Sequence, residues 1–256
     1  MRARRAPWIV PWITPWLVGL FALLSVLPSQ AAEAGHDDRA PFGMSMHDDM
    51  PIFHLLMEEF EYRAGDEGAF AWNGQAWYGN DTHRLWFKSE GEISDGRFEH
   101  GRHEILYDRP ISTFFDLQAG LRADIDDDPG RGWFAFGVQG LAPNFFEVSA
   151  TAYAGSNGRF AANAEASFDL LLSQRLILQP KAEIDFYSKK DASRGIGSGL
   201  SQIEAGLRLR YEITRKFAPY IGLAHERRYG STKRFAIANG DDPNTLRFVI
   251  GVHAWI

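Results

Sequence analysis

Four of the five methionines in the chain, Met44, Met46, Met50 and Met57, fall inside one 14-residue window. His47 and His54 lie in the same window, Asp48 and Asp49 follow His47 directly, and His36, Asp37 and Asp38 stand just upstream. Thioether sulfur is a soft donor that suits Cu(I), imidazole serves Cu(I) and Cu(II) alike, and carboxylate suits harder ions. A segment carrying all three donors can hold copper in either oxidation state. Met44, Met46, His47, Met50, His54 and Met57 are therefore the candidate metal ligands, with copper as the ion. The other reading of the same residues is a plain tether whose methionines are incidental.

Composition narrows what else the chain can do. There is no cysteine, which removes disulfides, thiolate metal sites and cysteine nucleophiles together. The net charge of −6 argues against nucleic acid as a partner and is compatible with cationic ligands. No metalloprotease, serine-hydrolase or phosphate-loop pattern occurs, and no Ser/His/Asp set can be assembled by spacing, so no catalytic residue is assigned and the chain is expected not to be an enzyme. Gly195-Ile196-Gly197-Ser198-Gly199 reads as flexible loop composition.

The elements that would position the Met/His segment come in three parts. Arg2, Arg4 and Arg5 precede an apolar run from Trp8 to Leu27, followed by small residues around Ala31 and Ala34, so residues 1–32 read as a cleaved signal peptide. Residues 33–54 lack periodicity and read as a short disordered arm. From Leu55 to Ile256 the texture is alternation of apolar and polar residues. Phe115, Leu117, Ala119 and Leu121 alternate with Asp116, Gln118, Gly120 and Arg122, and Ile203, Ala205, Leu207 and Leu209 alternate with Glu204, Gly206, Arg208 and Arg210. Period two gives each strand one apolar and one polar face.

A soluble β-sandwich and a membrane barrel both fit that pattern. Three features favour the barrel. The strands are about 10–13 residues long, enough for a tilted span. Their polar faces carry charges of both signs that can pair across a narrow lumen. The connections alternate, short near Asp108–Ser112, Ala142–Asn144, Leu172–Gln174 and Thr214–Lys216, and long near Asp124–Arg131, Ser188–Leu200 and Gly230–Asn244. The expected fold is all-β: a transmembrane antiparallel outer-membrane β-barrel of about twelve strands, a monomer surrounded by outer-membrane lipid, with its N-terminal arm in the periplasm. On that alternation Met57, Glu59 and Glu61 share one face, His100 and His103 fall on opposite faces, His83 sits at a turn, His225 lies near an outer loop and His253 faces the lumen.

Three segments add a resemblance. They are Met44-Ser45-Met46-His47-Asp48-Asp49-Met50, Ala71-Trp72-Asn73-Gly74-Gln75-Ala76-Trp77-Tyr78-Gly79 and Leu85-Trp86-Phe87-Lys88-Ser89-Glu90-Gly91-Glu92. With Glu59-Phe60-Glu61-Tyr62-Arg63 they resemble the copper resistance protein B family, over about residues 50–256. The resemblance implies an outer-membrane location in a Gram-negative cell, copper binding and copper tolerance, with copper sequestered or exported at the envelope, and a periplasmic multicopper oxidase as partner. Family members often carry a longer Met/His arm with repeated motifs, whereas this chain has one. A passive small-solute channel, with an arm irrelevant to transport, is the alternative.

Overall fold

The computed structural model describes residues 50–65, 68–94, 97–126 and 130–256. The signal-peptide segment, and Met44, Met46 and His47 of the arm, lie outside the described residues.

Twelve long strands and one two-residue strand follow in order. They are β1 (Ile52–Ala64), β2 (Ala69–Gly79), β3 (Arg84–Ser94), β4 (Arg97–Pro110), β5 (Phe115–Ile125) and β6 (Arg131–Ala142). Then come β7 (Phe146–Gly155), β8 (Arg159–Ser167), the short β9 (Leu170–Leu171), β10 (Leu176–Tyr187), β11 (Gly199–Tyr211), β12 (Phe217–Arg228) and β13 (Asn244–Trp255). Each long strand pairs antiparallel with the next, and β8 with β10. β13 returns to β1 in a register running from Leu56↔Trp255 to Ala64↔Phe248, which closes the sheet into a barrel and leaves no open edge. No helix among the described residues is long and apolar enough to cross a membrane.

Alternation sorts the side chains as period two demands. Phe134, Phe136 and Leu121 are 71 %, 58 % and 58 % exposed and form part of an apolar outer belt. Aromatics gather at both rims of that belt, Tyr62, Phe160 and Phe248 at one end and Tyr78, Phe114 and Phe217 at the other. Lipid offers such a surface no hydrogen-bond partner, so only a closed barrel can present it. The polar faces point inward, where Glu61, Asp108, Arg208 and Gln118 are almost fully buried.

The two ends of the barrel differ. Ile52 and Trp255 lie at one, the terminal end, with the turns at residues 80–83, 111–114, 143–145 and 212–216. The connections at residues 188–198 and 229–243 lie at the other, the loop end. Two expectations are corrected here. The glycine-rich stretch is packed rather than loose: Asp191 and Ile196 bridge, and the Gly197 N–H donates to Thr232 Oγ1 at 2.8 Å. A Cβ on Gly197 would fall 2.4 Å from the Thr232 nitrogen, so only glycine permits this approach. The expected loop after β12 folds as a helix, α1 (Gly230–Asn239), ended by Gly240 in the left-handed conformation at φ 92°.

β1 also departs from simple alternation. It starts at Ile52, three residues ahead of the expected Leu55, so His54 belongs to the barrel wall. Its pairing with β2 slips between Met57 and Glu59. This bulge turns Glu58 and Glu59 both inward: Glu58 accepts from Gln75 Nε2 at 2.9 Å, and Glu59 from Arg208 Nη2 at 2.7 Å. Met57 therefore faces outward, its sulfur 3.1 Å from where a Cβ on Gly74 would stand. The expected face of Met57, Glu59 and Glu61 does not form.

Candidate functional site

The lumen is the only region where titratable side chains converge in numbers among the described residues, and it is crossed by ion pairs. Arg208 bonds Glu59 and Glu61 at 2.7 and 2.9 Å, and Tyr220 Oη donates to Glu61 at 2.8 Å. Arg63 reaches Glu61 at 2.9 Å, Glu92 at 3.2 Å and Glu204 at 2.9 Å. Lys181 lies 3.1 Å from Glu59 and 3.2 Å from Glu165. Arg102 bonds Glu90 at 2.5 Å and Glu183 at 2.7 Å. Each cation meets two or more carboxylates, which compensates charges withdrawn from water.

Two cavities flank this network. The one toward the loop end, about 540 Å³, is lined by eleven carboxylates and by seven arginine or lysine side chains. The one toward the terminal end, about 410 Å³, is lined by six carboxylates, among them Glu58, Glu104, Glu147 and Glu165, against Lys88 and Arg102 alone. Both are net acidic and so favour cations over anions. Asn73, Glu90 and Arg102 line both. They stand between the two halves, where Arg102 holds Glu90 on the neighbouring strand and Glu183 on β10.

The loop-end cavity is covered. Ser201 Oγ and Thr232 Oγ1 are 2.8 Å apart beneath α1. Asp191 binds Arg131, as well as Arg159 at 2.6 Å and Ser193 at 2.7 Å, which ties the 188–198 connection to β6 and β8. Burial pushes the Asp191 carboxyl up, but the Ser193 hydrogen bond and the Arg159 and Arg131 guanidiniums outweigh it and hold the group below its ordinary value of 3.8.

At the terminal end the lining is aromatic. His54 pairs with Trp77 and Trp77 with Trp86, whose side chain is buried in the lumen, so all three point inward. The His54 ring lies 5.8 Å from Trp77 and 5.9 Å from Trp255, tilted at 42° and 44°. Of the candidate ligands within the described residues, Met50 is exposed two residues ahead of β1, His54 stands in the inner mouth and Met57 faces outward. These three are not brought together, and no cluster of three or more His, Asp or Glu side chains among the described residues is arranged to hold a metal ion.

The other histidines fall as alternation predicts. His100 lines the loop-end cavity, while His103 faces outward and meets Ser89 at 3.1 Å. His83 closes the β2–β3 turn against Tyr107, His225 meets Asn244 at 2.9 Å, and His253 in the lumen accepts from Arg210 at 3.2 Å. Sequence reading missed Trp77, Trp255 and Arg102. Trp77 stood in a quoted segment, but only strand register reveals that it and Trp255 flank one histidine.

Residues 52–256 match the family described as copper resistance protein B precursor. The chain is 42 % identical over 214 residues to the copper resistance protein B homolog of Pseudomonas syringae pv. tomato, covering 83 % of this chain and 73 % of that one. It is 40 % identical over 224 residues to copper resistance protein B of Escherichia coli, covering 86 % and 76 %. Among solved structures it is similar to the NanC porin, with a TM-score of 0.50, 12 % identity and coverage of 79 % and 99 %. That likeness concerns the fold alone.

Proposed function

The chain belongs to the copper resistance protein B family, and on that premise we propose that it protects the cell by binding copper on the periplasmic side of the outer membrane and sequestering it, or passing it outward, at the envelope. The barrel lies in the outer membrane, with its terminal end toward the periplasm and its capped loop end outside. Copper is cargo in this reading, and the protein is a binder rather than a catalyst. Met44, Met46, His47 and Met50 capture it, the thioethers favouring Cu(I) and the imidazole with its neighbouring carboxylates Cu(II).

One observation supports the reading above the others. The Met/His segment immediately precedes β1 in sequence, and β1 carries His54 beside Trp77 at the terminal end and Leu56 and Glu58 in the lining of the acidic cavity there. A donor-rich arm joined to a cation-favouring cavity suits capture of a metal ion better than free diffusion of solutes.

Deletion of residues 36–50 leaves the leader and β1 intact and tests the proposal. The expected result is loss of most bound copper from the purified protein, with reduced copper tolerance of cells carrying the variant. Unchanged stoichiometry together with unchanged tolerance refutes it. The passive-channel alternative is read in planar bilayers, where a large conductance indifferent to copper would favour it, since the Arg102 contacts between the two cavities predict a small one.

A further inference from the structure

Two pieces of chain cover the loop-end cavity, and they are held in unequal ways. The 188–198 connection is tied by charge to the ends of β5, β6 and β8. Asp191 binds Arg131 of β6 and Arg159 of β8, the latter at 2.6 Å, and Arg194 binds Asp126 just beyond β5. Lys189 Nζ adds a hydrogen bond to the Asn157 carbonyl at 2.7 Å. Helix α1 is attached differently. Among the described residues, the side-chain hydrogen bonds that join it to the rest of the barrel run through Thr232, whose Oγ1 accepts from the Gly197 N–H and meets Ser201 Oγ, each at 2.8 Å. Charge-assisted hydrogen bonds are roughly twice as strong as neutral ones, so the connection is the firmer of the two pieces.

The helix has little else to keep it in place. Only Thr232 and Ala236 of its ten residues are buried, while Ile237 is exposed, so lifting it uncovers little apolar surface. It has no side-chain N-cap, no acid in its first turn and no base in its last, and a helix this short is marginal alone. Gly230 and Gly240 stand at its two ends with φ of 54° and 92°, and glycine moves between backbone regions there without a Cβ penalty. The feet of the segment are fixed. The Tyr229 N–H donates to the Ser201 carbonyl and the Arg228 N–H to the Pro243 carbonyl, both at 2.8 Å, so any motion is confined to the stretch between them.

We infer that α1 is a lid over the loop-end cavity, that the 188–198 connection is its fixed frame, and that Thr232 is the latch between them. Thr232, Ala236 and Asn239 line that cavity. When the two hydrogen bonds of Thr232 break, α1 turns on Gly230 and Gly240, and the cavity joins the solution beyond the loop end. This goes beyond copper binding and holds for whatever solute the lumen carries.

The chain has no cysteine, so Ser201→Cys combined with Thr232→Cys places a single reducible bridge where the two oxygens already meet. The test uses the full mature chain in detergent micelles, with retained heat-modifiable migration in gels showing that each variant is folded. Freed of its contacts, α1 does not keep its own hydrogen bonds, so opening is read as amide hydrogen exchange by mass spectrometry. In the parent and in the reduced double variant, residues 233–241 are expected to exchange together, about tenfold or more faster than Asp191 and Ile196, whose amides bond each other's carbonyls. Oxidation slows residues 233–241 by about tenfold or more and leaves Asp191 and Ile196 unchanged. Thr232→Val, which needs no bridge to form, accelerates the same helix residues by about fivefold to thirtyfold. In planar bilayers the oxidised double variant passes several-fold less current than its reduced form. Exchange of α1 at the rate of the 188–198 connection in the parent overturns the lid, as does a current that is the same with the bridge open or closed.

Discussion

At the loop end the lumen is covered by α1 and the 188–198 connection, held by Thr232, Ser201 and the Asp191 cluster, above a cavity whose carboxylates face seven cationic side chains. At the terminal end, Trp77, Trp86, Trp255 and His54 lie together beside a smaller cavity lined by six carboxylates and two cations. The outer half spends its carboxylates on pairing with its own arginines. The inner half has fewer cations in its own lining and pairs its carboxylates with neighbours beside it, Lys181 lying 3.2 Å from Glu165 and Arg84 3.1 Å from Asp116. The two halves meet at Asn73, Glu90 and Arg102, which line both cavities.

The largest effect that sharpens this contrast is expected in the interior network. Arg208→Ala leaves Glu59 and Glu61 buried without their guanidinium, and should lower stability by about 3–5 kcal/mol, measured as the urea midpoint of tryptophan fluorescence. A change below about 1 kcal/mol would mean that water already screens these pairs. Arg102→Ala is expected to raise single-channel conductance several-fold and make it cation-selective. An unchanged current would move the barrier away from Arg102.

The strand architecture was legible in the sequence because lipid on one side and a crowded lumen on the other impose period two on nearly every strand. Phe134, Phe136, Trp86 and His253 all face as their parity predicts. The start of β1 was not legible, since Ile52-Phe53-His54-Leu55-Leu56-Met57 is apolar on both faces and offers no alternation. Two adjacent glutamates, Glu58 and Glu59, gave no sign that a bulge would turn both inward and send Met57 out. The helix α1 was hidden for a different reason: it begins at Gly230 after Tyr229, with no side-chain cap and no acidic first turn, so no start signal marks it. Of the candidate site, the donor types and their clustering could be read, but the indoles beside His54 come from β2 and β13 and meet it only through barrel closure.

Acid should loosen the cap of the loop end. Because the Asp191 carboxyl is held below its ordinary value in the folded protein, its stabilisation is complete above about pH 4 and is lost as pH falls through that lowered value. Limited proteolysis of the 188–198 connection should therefore accelerate only below about pH 4. Asp191→Asn should be cleaved at the faster rate at neutral pH and lose the pH dependence. A parental profile in that variant would free the cap from Asp191. The smallest expected effect is that of Thr232→Val, which removes the acceptor for the Gly197 N–H and the partner of Ser201. It should loosen the cap by about 1–2 kcal/mol, read as faster amide hydrogen exchange at Gly197, with copper binding unchanged.

The central claim is that copper is held at the periplasmic side by sulfur and imidazole donors and not by the carboxylates of the lumen. X-ray absorption at the copper edge, on the full mature chain loaded anaerobically with Cu(I), tests it most directly. The account predicts a first shell of sulfur and nitrogen, with the outer-shell scattering of a coordinated imidazole and loss of the sulfur contribution when residues 36–50 are deleted. A shell of oxygen alone, unchanged by that deletion, would place copper on the luminal carboxylates and contradict the account.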